Sequence, residues 1–248
     1  MLKKILLGLI IYSGSVLSAS GQEISVDEII AKNMEARGGA ANWKAVKTII
    51  ARGSYINFSD EEPFTIWRKR ENRYRFDSRR LNKDVVHVFD GKDAWWRNPL
   101  FGPKFEKAGL IPADGNLAKT TLREKDFDVV YWDYQKKGHE VAFAGKQDVD
   151  GTPCYALKVT LQDSSIEHWF IDASSFLELK MTGETYDFGR KTSLETFFSD
   201  YREIEGVKMP FLIEQEYGIR YRTFEIESIK LNVDIADSLF VLPTEKQD

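Results

Sequence analysis

The sequence predicts a single mostly β domain built as a meandering antiparallel sheet. Three observations carry this expectation. Runs rich in β-branched and aromatic residues are separated by turn signals every eight to fifteen residues. Several of these separators are hairpin dipeptides: Asp90-Gly91, Asp150-Gly151 and Glu205-Gly206, where glycine supplies the positive φ of a two-residue turn. The longest run, Thr192 to Tyr217, places Leu194, Phe198 and Ile204 on one side of its first strand and Phe197 and Tyr201 on the other. Both faces are therefore apolar, which a sheet with one wet face does not need. Pro210 lacks a ladder donor, so it belongs near a strand end or an edge.

The elements follow in order. Lys3-Lys4, the apolar run Ile5 to Tyr12 and the small residues through Gly21 have the form of a secretory signal peptide, residues 1–21. Cleavage is expected at Gly21/Gln22, with the bond after Ala19 as the alternative. The apolar run falls short of the ~20 residues that span a membrane, so the expectation is a soluble periplasmic domain, residues 22–248. Ser25 and Glu28 have capping-box spacing at the start of a helix reaching Arg37. Val26, Ile29, Ile30 and Met34 form its apolar stripe, and Gly38-Gly39 ends it. Trp43 lies in a short helical link. Strands are predicted over Val46–Phe58, Phe64–Lys69, Arg73–Asp77, Val85–Phe89, Asp93–Arg97, Val141–Val149, Cys154–Leu161, Ile166–Ile171, Leu177–Tyr186, the two arms of Thr192–Tyr217, and Arg220–Leu231. Asn98 to Asn116 interrupts them with three prolines and the apolar residues Leu100, Phe101, Phe105, Leu110 and Ile111. A long loop of this kind is uncommon unless functional; it is either a cover or part of the core. Leu117 to Lys137 is predicted as one or two helices, because Phe127, Val130, Tyr131 and Tyr134 recur at helical spacing.

Charge and motifs exclude several classes. Without the leader the chain has 33 basic and 39 acidic residues, a net charge of −6, which argues against nucleic acid. His87, His139 and His168 are scattered, and no metal spacing, phosphate loop or nucleophile elbow is present. No catalytic residue, metal site or cofactor is therefore expected. Asp200 and Glu203 beside Arg202 are expected to pair across strands. Cys154, the only cysteine, alternates with Ala156 and is expected to be a packing residue. Arg68 to Arg80 holds seven basic residues opposed only by Glu71 and Asp77. It is either a patch for anionic partners or a solvated strand face that discourages edge pairing.

Five segments in order resemble the LolA-like lipoprotein-sorting family: ARGGAANWKAVKTIIARGSY (Ala36–Tyr55), DGTPCYALKVTLQ (Asp150–Gln162), HWFIDASSFLELKM (His168–Met181), FFSDYREIEGVKMPFLIE (Phe197–Glu214) and DIADSLFVLP (Asp234–Pro243). The resemblance implies an open antiparallel half-barrel of about eleven strands, with helices covering its concave face. It implies no catalytic residues, and a periplasmic carrier that holds the acyl chains of a lipoprotein or lipid. The alternative within the same fold is an envelope sensor or protein-interaction module, with membrane proteins as partners. The absence of a cysteine at the leader junction departs from the lipid-anchored form, and the Pro-rich insertion departs from the compact carrier. Oligomeric state is left open. For the acyl-binding face the expected set is Tyr155, Leu157, Val159 and Leu161, the cleanest apolar alternation in the chain, joined by Trp95, Phe197 and Tyr201. Phe101, Phe105, Leu110 and Ile111 would form the cover. A one-residue slip of register reverses each of these face assignments.

Overall fold

A computed structural model describes residues 24–57, 60–106, 109–113, 115–187 and 190–241. The leader assigned to residues 1–21 lies outside them. The strands are β1 (Thr48–Asn57), β2 (Asp60–Lys69), β3 (Arg73–Arg80), β4 (Lys83–Phe89), β5 (Ala94–Arg97), β6 (Ile111–Pro112), β7 (Glu140–Val149), β8 (Thr152–Thr160), β9 (Ile166–Asp172), β10 (Glu178–Asp187), β11 (Arg190–Ile204), β12 (Val207–Tyr217) and β13 (Arg220–Leu231). They form one antiparallel sheet in the order β6-β5-β4-β3-β2-β1-β13-β12-β11-β10-β9-β8-β7, and its two edges do not pair with each other. Thirteen strands stand where about eleven were expected. Neighbours in the sheet are consecutive strands of the chain except β1 and β13, whose pairing joins the chain's two halves.

Turn chemistry explains the hairpins. Glu71-Asn72, Leu81-Asn82, Asp150-Gly151 and Glu205-Gly206 all have positive φ at both central positions, the type I′ geometry that matches strand twist. Pro63 and Pro210 each sit where their strand is paired on one side only: β3 joins β2 from Phe64, and β13 joins β12 from Leu212. No ladder donor is lost there.

Among the described residues four helices flank the sheet: α1 (Val26–Ala36), α2 (Ala40–Ala45), α3 (Pro103–Glu106) and α4 (Gly115–Arg123). Ser25 caps α1 by accepting from the amide of Glu28 at 3.2 Å. None among the described residues is long and apolar enough to cross a membrane. The segment 124–138 is a chain of turns, not the helix its periodicity predicts. Asp133 has φ +50, and the Lys137 ammonium donates to the carbonyl of Val129 at 2.7 Å. Phe127, Tyr131 and Trp132 are nevertheless buried against α1, with Leu157, Val159, Ile171, Val207 and Leu231 beneath. The spacing reported which residues are apolar, and packing chose the backbone.

The sheet curls around α4. Lys119 on α4 donates to the Tyr186 hydroxyl of β10 at 3.2 Å, and Thr121 meets His87 Nδ1 of β4 at 3.3 Å. β4 and β10 lie seven places apart in the strand order. On a flat sheet that would be about 33 Å, at ~4.7–4.9 Å per strand. Two residues of one helical turn cannot touch both unless the sheet bends toward them. The face under α1 and α4 is therefore the inner, concave one.

Five residues of the basic segment are neither a free patch nor a solvated face, whereas Arg79 is exposed beside Asp84 at 3.8 Å. Arg68 donates to the carbonyls of Glu124 and Asp126, both at 2.7 Å. Arg70 grips Asp128 and the carbonyls of Val46 and Trp43. Lys69 and Arg73 both pair with Asp237, and Arg75 pairs with Asp77 and the Leu239 carbonyl. These residues fasten the 124–128 segment on one face and the C-terminal turn (Asp237–Phe240) on the other.

Candidate functional site

Register decides which side chains meet inside. Cross-strand partners share a face, so the pairings Tyr55↔Phe224, Phe64↔Gly53, Phe76↔Ile66 and Phe76↔His87 line up on the inner side. There Tyr55, Phe64, Phe76 and Phe224 form one aromatic cluster. Ring centroids lie 4.9 Å apart for Tyr55 and Phe224, 5.5 Å for Phe64 and Phe224, and 6.0 Å for Tyr55 and Phe76. Phe64 is buried, whereas Tyr55, Phe76 and Phe224 are only half-buried. Such rings are a large apolar surface still open to a partner. Leu194, Met181, Phe198, Trp169 and Tyr217 continue the face toward β9.

Polar groups sit among these rings. Arg222 donates to Gln215 Oε1 at 2.5 Å, and Gln215 in turn donates to Thr196 Oγ1 at 3.2 Å. The Arg222 guanidinium lies over the rings of Tyr217, at 4.7 Å, and Phe224, at 5.8 Å. Burial first, and then the charge of Arg222, push the His87 imidazole down to about 4. His87 is therefore neutral at physiological pH and meets Thr121 of α4 as an uncharged partner.

The expected site residues fall into three places. Tyr155, Leu157, Val159 and Leu161 do share the inner face, but α1 and the 127–134 segment pack directly upon them. Leu157 and Val159 are fully buried there. Tyr155 stacks on Phe176 at 5.6 Å. Trp95 lies on the outer face with Val88, Trp67 and Leu110. Phe197 also faces outward, under the Lys180 ammonium at 4.8 Å, because Thr196 and Phe198 take the inner positions. The expected face for β11 is thus one residue out of phase. The Tyr201 hydroxyl binds the carboxylate of Glu178 at 3.0 Å. Phe105 packs on Trp96 at 5.4 Å, and Ile111 pairs with Trp96 across the β5–β6 edge. Phe101 ends a 3₁₀ turn, and its side chain lies outside the described set. The Pro-rich stretch therefore straddles the sheet edge and does not form a cover by itself; α4 crosses the concave face.

A second concavity opens on the outer face, a groove of about 590 Å³ lined by Pro63, Trp67, Arg75, Arg79, Val86, Arg97 and Leu110. Ion pairs run across its floor, with Arg75 on Asp77 and Arg97 on Asp84. Among the described residues no group of three or more His, Cys, Asp or Glu is placed to hold a metal ion.

No protein-family model matches this sequence. No curated protein matches it either. Solved structures do. A LolA superfamily protein, NE2245 from Nitrosomonas europaea, superposes with a TM-score of 0.58 at 14% identity, over 89% of this chain and 99% of that one. A DUF1329 family protein from Desulfovibrio piger gives 0.58 at 13%, over 88% and 97%. A Vibrio parahaemolyticus domain described as outer membrane lipoprotein-sorting gives 0.55 at 11%, over 86% and 94%. With an open antiparallel sheet curled around its helices and these three matches along nearly its whole described length, the chain has the LolA-like fold.

Proposed function

We propose that this protein is a non-catalytic periplasmic carrier that binds the acyl chains of a lipid or lipoprotein against its inner face, beneath α4. The observation that carries this reading is the aromatic cluster of Tyr55, Phe64, Phe76 and Phe224, three of whose members stay half-buried on the concave side. Burying a chain there gains about 0.8 kcal/mol per CH₂. The helix above it meets the two walls through Lys119 to Tyr186 and Thr121 to His87, and Leu122 packs on the cluster of Tyr74, Phe89 and Ala94. The two polar contacts contribute about 1 kcal/mol each, and a ligand beneath α4 would rest against the same face of the sheet that Leu122 packs on. The three matching folds support the reading, since two of them are named for the LolA superfamily or for lipoprotein sorting.

The test is uptake of cis-parinaric acid, whose emission rises on entering an apolar site. The unmodified protein should bind it saturably. Phe76→Asp combined with Phe224→Asp should weaken binding at least tenfold, while Trp67→Ala in the outer groove should leave it unchanged. No uptake, or loss through Trp67→Ala alone, would overturn the reading.

A further inference from the structure

The inner face carries a cation that no carboxylate among the described residues pairs with. Among the described residues, Arg37, which is buried, and Arg222, which is half-buried, each lie over more than one aromatic ring, and they are treated differently. Arg37 meets Glu178 at 2.8 Å and lies over Trp43, Trp132 and Tyr201. Arg222 lies over Tyr217 and Phe224, yet its side-chain partners are the neutral Gln215 and Tyr55. Among the described residues it makes no ion pair. Glu124, a carboxylate whose charge reaches it, is engaged by Arg68 at 3.6 Å. Drawing a guanidinium half out of water without a counter-charge has a cost that an anion completing the site would offset. A second unmet group stands beside it. Asn57, directly cross-strand from Arg222, has a buried side-chain oxygen with no hydrogen-bond partner. Rotating that amide presents its NH₂ donors in place of the oxygen.

We infer that Arg222, with Asn57 beside it, anchors the anionic headgroup of a single-chain amphiphile, a carboxylate or phosphate, whose chain lies along Phe64, Phe76 and Phe224. The inference rests on the acyl-binding reading above and adds the charge and position of the head. Guanidinium suits both headgroups because it offers paired donors in one plane. A purely apolar chamber would bind neutral and anionic chains alike.

Isothermal titration with laurate, dodecyl phosphate and dodecanol at pH 7.5 tests it, with inorganic phosphate and acetate as chainless controls. The unmodified protein should bind laurate or dodecyl phosphate at least tenfold more tightly than dodecanol. Arg222→Gln should bring the anionic chains down to the level of dodecanol without changing dodecanol itself, and Arg222→Lys should keep part of the preference. Equal binding of all three chains by the unmodified protein would overturn the inference and leave the acyl reading standing. That arm needs no variant, so a poorly folded Arg222→Gln does not blunt it. Inorganic phosphate or acetate binding as tightly as the long chains would also overturn it, by making the site one for small anions. Failure of all three chains to bind would remove the acyl reading and this inference together.

Discussion

Glu178→Ala should lower stability by about 3–5 kcal/mol, the usual cost of breaking one side of a buried ion pair. The Glu178 carboxylate accepts from Arg37 at 2.8 Å, from the Tyr131 hydroxyl at 2.7 Å and from the Tyr201 hydroxyl at 3.0 Å. The paired side chains are only 7% and 2% exposed. Arg37 also donates to the Lys208 carbonyl at 2.6 Å, while its own carbonyl accepts from Trp43 Nε1 at 2.8 Å. The pair thus ties the end of α1 to β10 and to the β11–β12 hairpin. Gly38, next along, comes so close to the Gly206 carbonyl that a Cβ would lie 2.1 Å from it. Truncating Glu178 leaves a buried cation and two buried hydroxyls without their acceptor. Burial alone would raise the Glu178 pKa, but the Arg37 charge and the Tyr131 hydrogen bond hold it below its ordinary 4.5. The pair's contribution is therefore complete above that ordinary value and fades as pH falls below it. Urea denaturation at pH 7 and pH 3 reads both effects: a large loss at neutral pH and a smaller one in acid. Replacing both partners by Met should recover much of the loss, since no lone charge remains. A Glu178→Ala loss below 1 kcal/mol would contradict the buried-pair account.

Leu157→Ala should cost about 2–5 kcal/mol, and Leu157→Glu should prevent stable folding. The alternation of β8 suggests an exposed cavity wall that would tolerate a polar group. In the structure Leu157 is 0% exposed and belongs to the cluster under α1 with Ile29, Trp132 and Ile171. Removing its branch opens a cavity that this cluster cannot collapse to fill, and an unpaired carboxylate there has no partner. At roughly 2–4 °C per kcal/mol for a chain of this size, the melting temperature of Leu157→Ala should fall by roughly 5–15 °C. A melting temperature within a degree of the unmodified protein would mean that this end of the inner face is not packed.

What was legible in the sequence is what is local. The Asp150-Gly151 and Glu205-Gly206 turns, the Ser25 cap and the long β11–β12 hairpin were all readable, because two- to four-residue chemistry decides them. The pairing of β1 with β13, the two-residue β6 and the bond from Arg37 to Glu178, 141 residues away, carry no local signature. The basic segment looked like a surface feature because its partners, Asp128 and Asp237, lie 58 and 168 residues from Arg70 and Lys69. The acyl-binding expectation settled on β8 because its alternation is the cleanest, but clean alternation marks any packed face. Tyr55, Phe64, Phe76 and Phe224 come from four strands and no spacing links them. The orientation of Phe197 against Phe198 turns on a single step of register, for which a strand apolar on both faces offers no signal.

An acyl site on the concave face shows itself in where a bound chain settles. Adding doxyl-labelled stearate to isotopically labelled protein should broaden the NMR signals of Tyr55, Phe64, Phe76, Phe224 and α4, while those of Trp67, Arg79 and Leu110 stay sharp. Broadening confined to the outer groove, or none at saturating ligand, would contradict it.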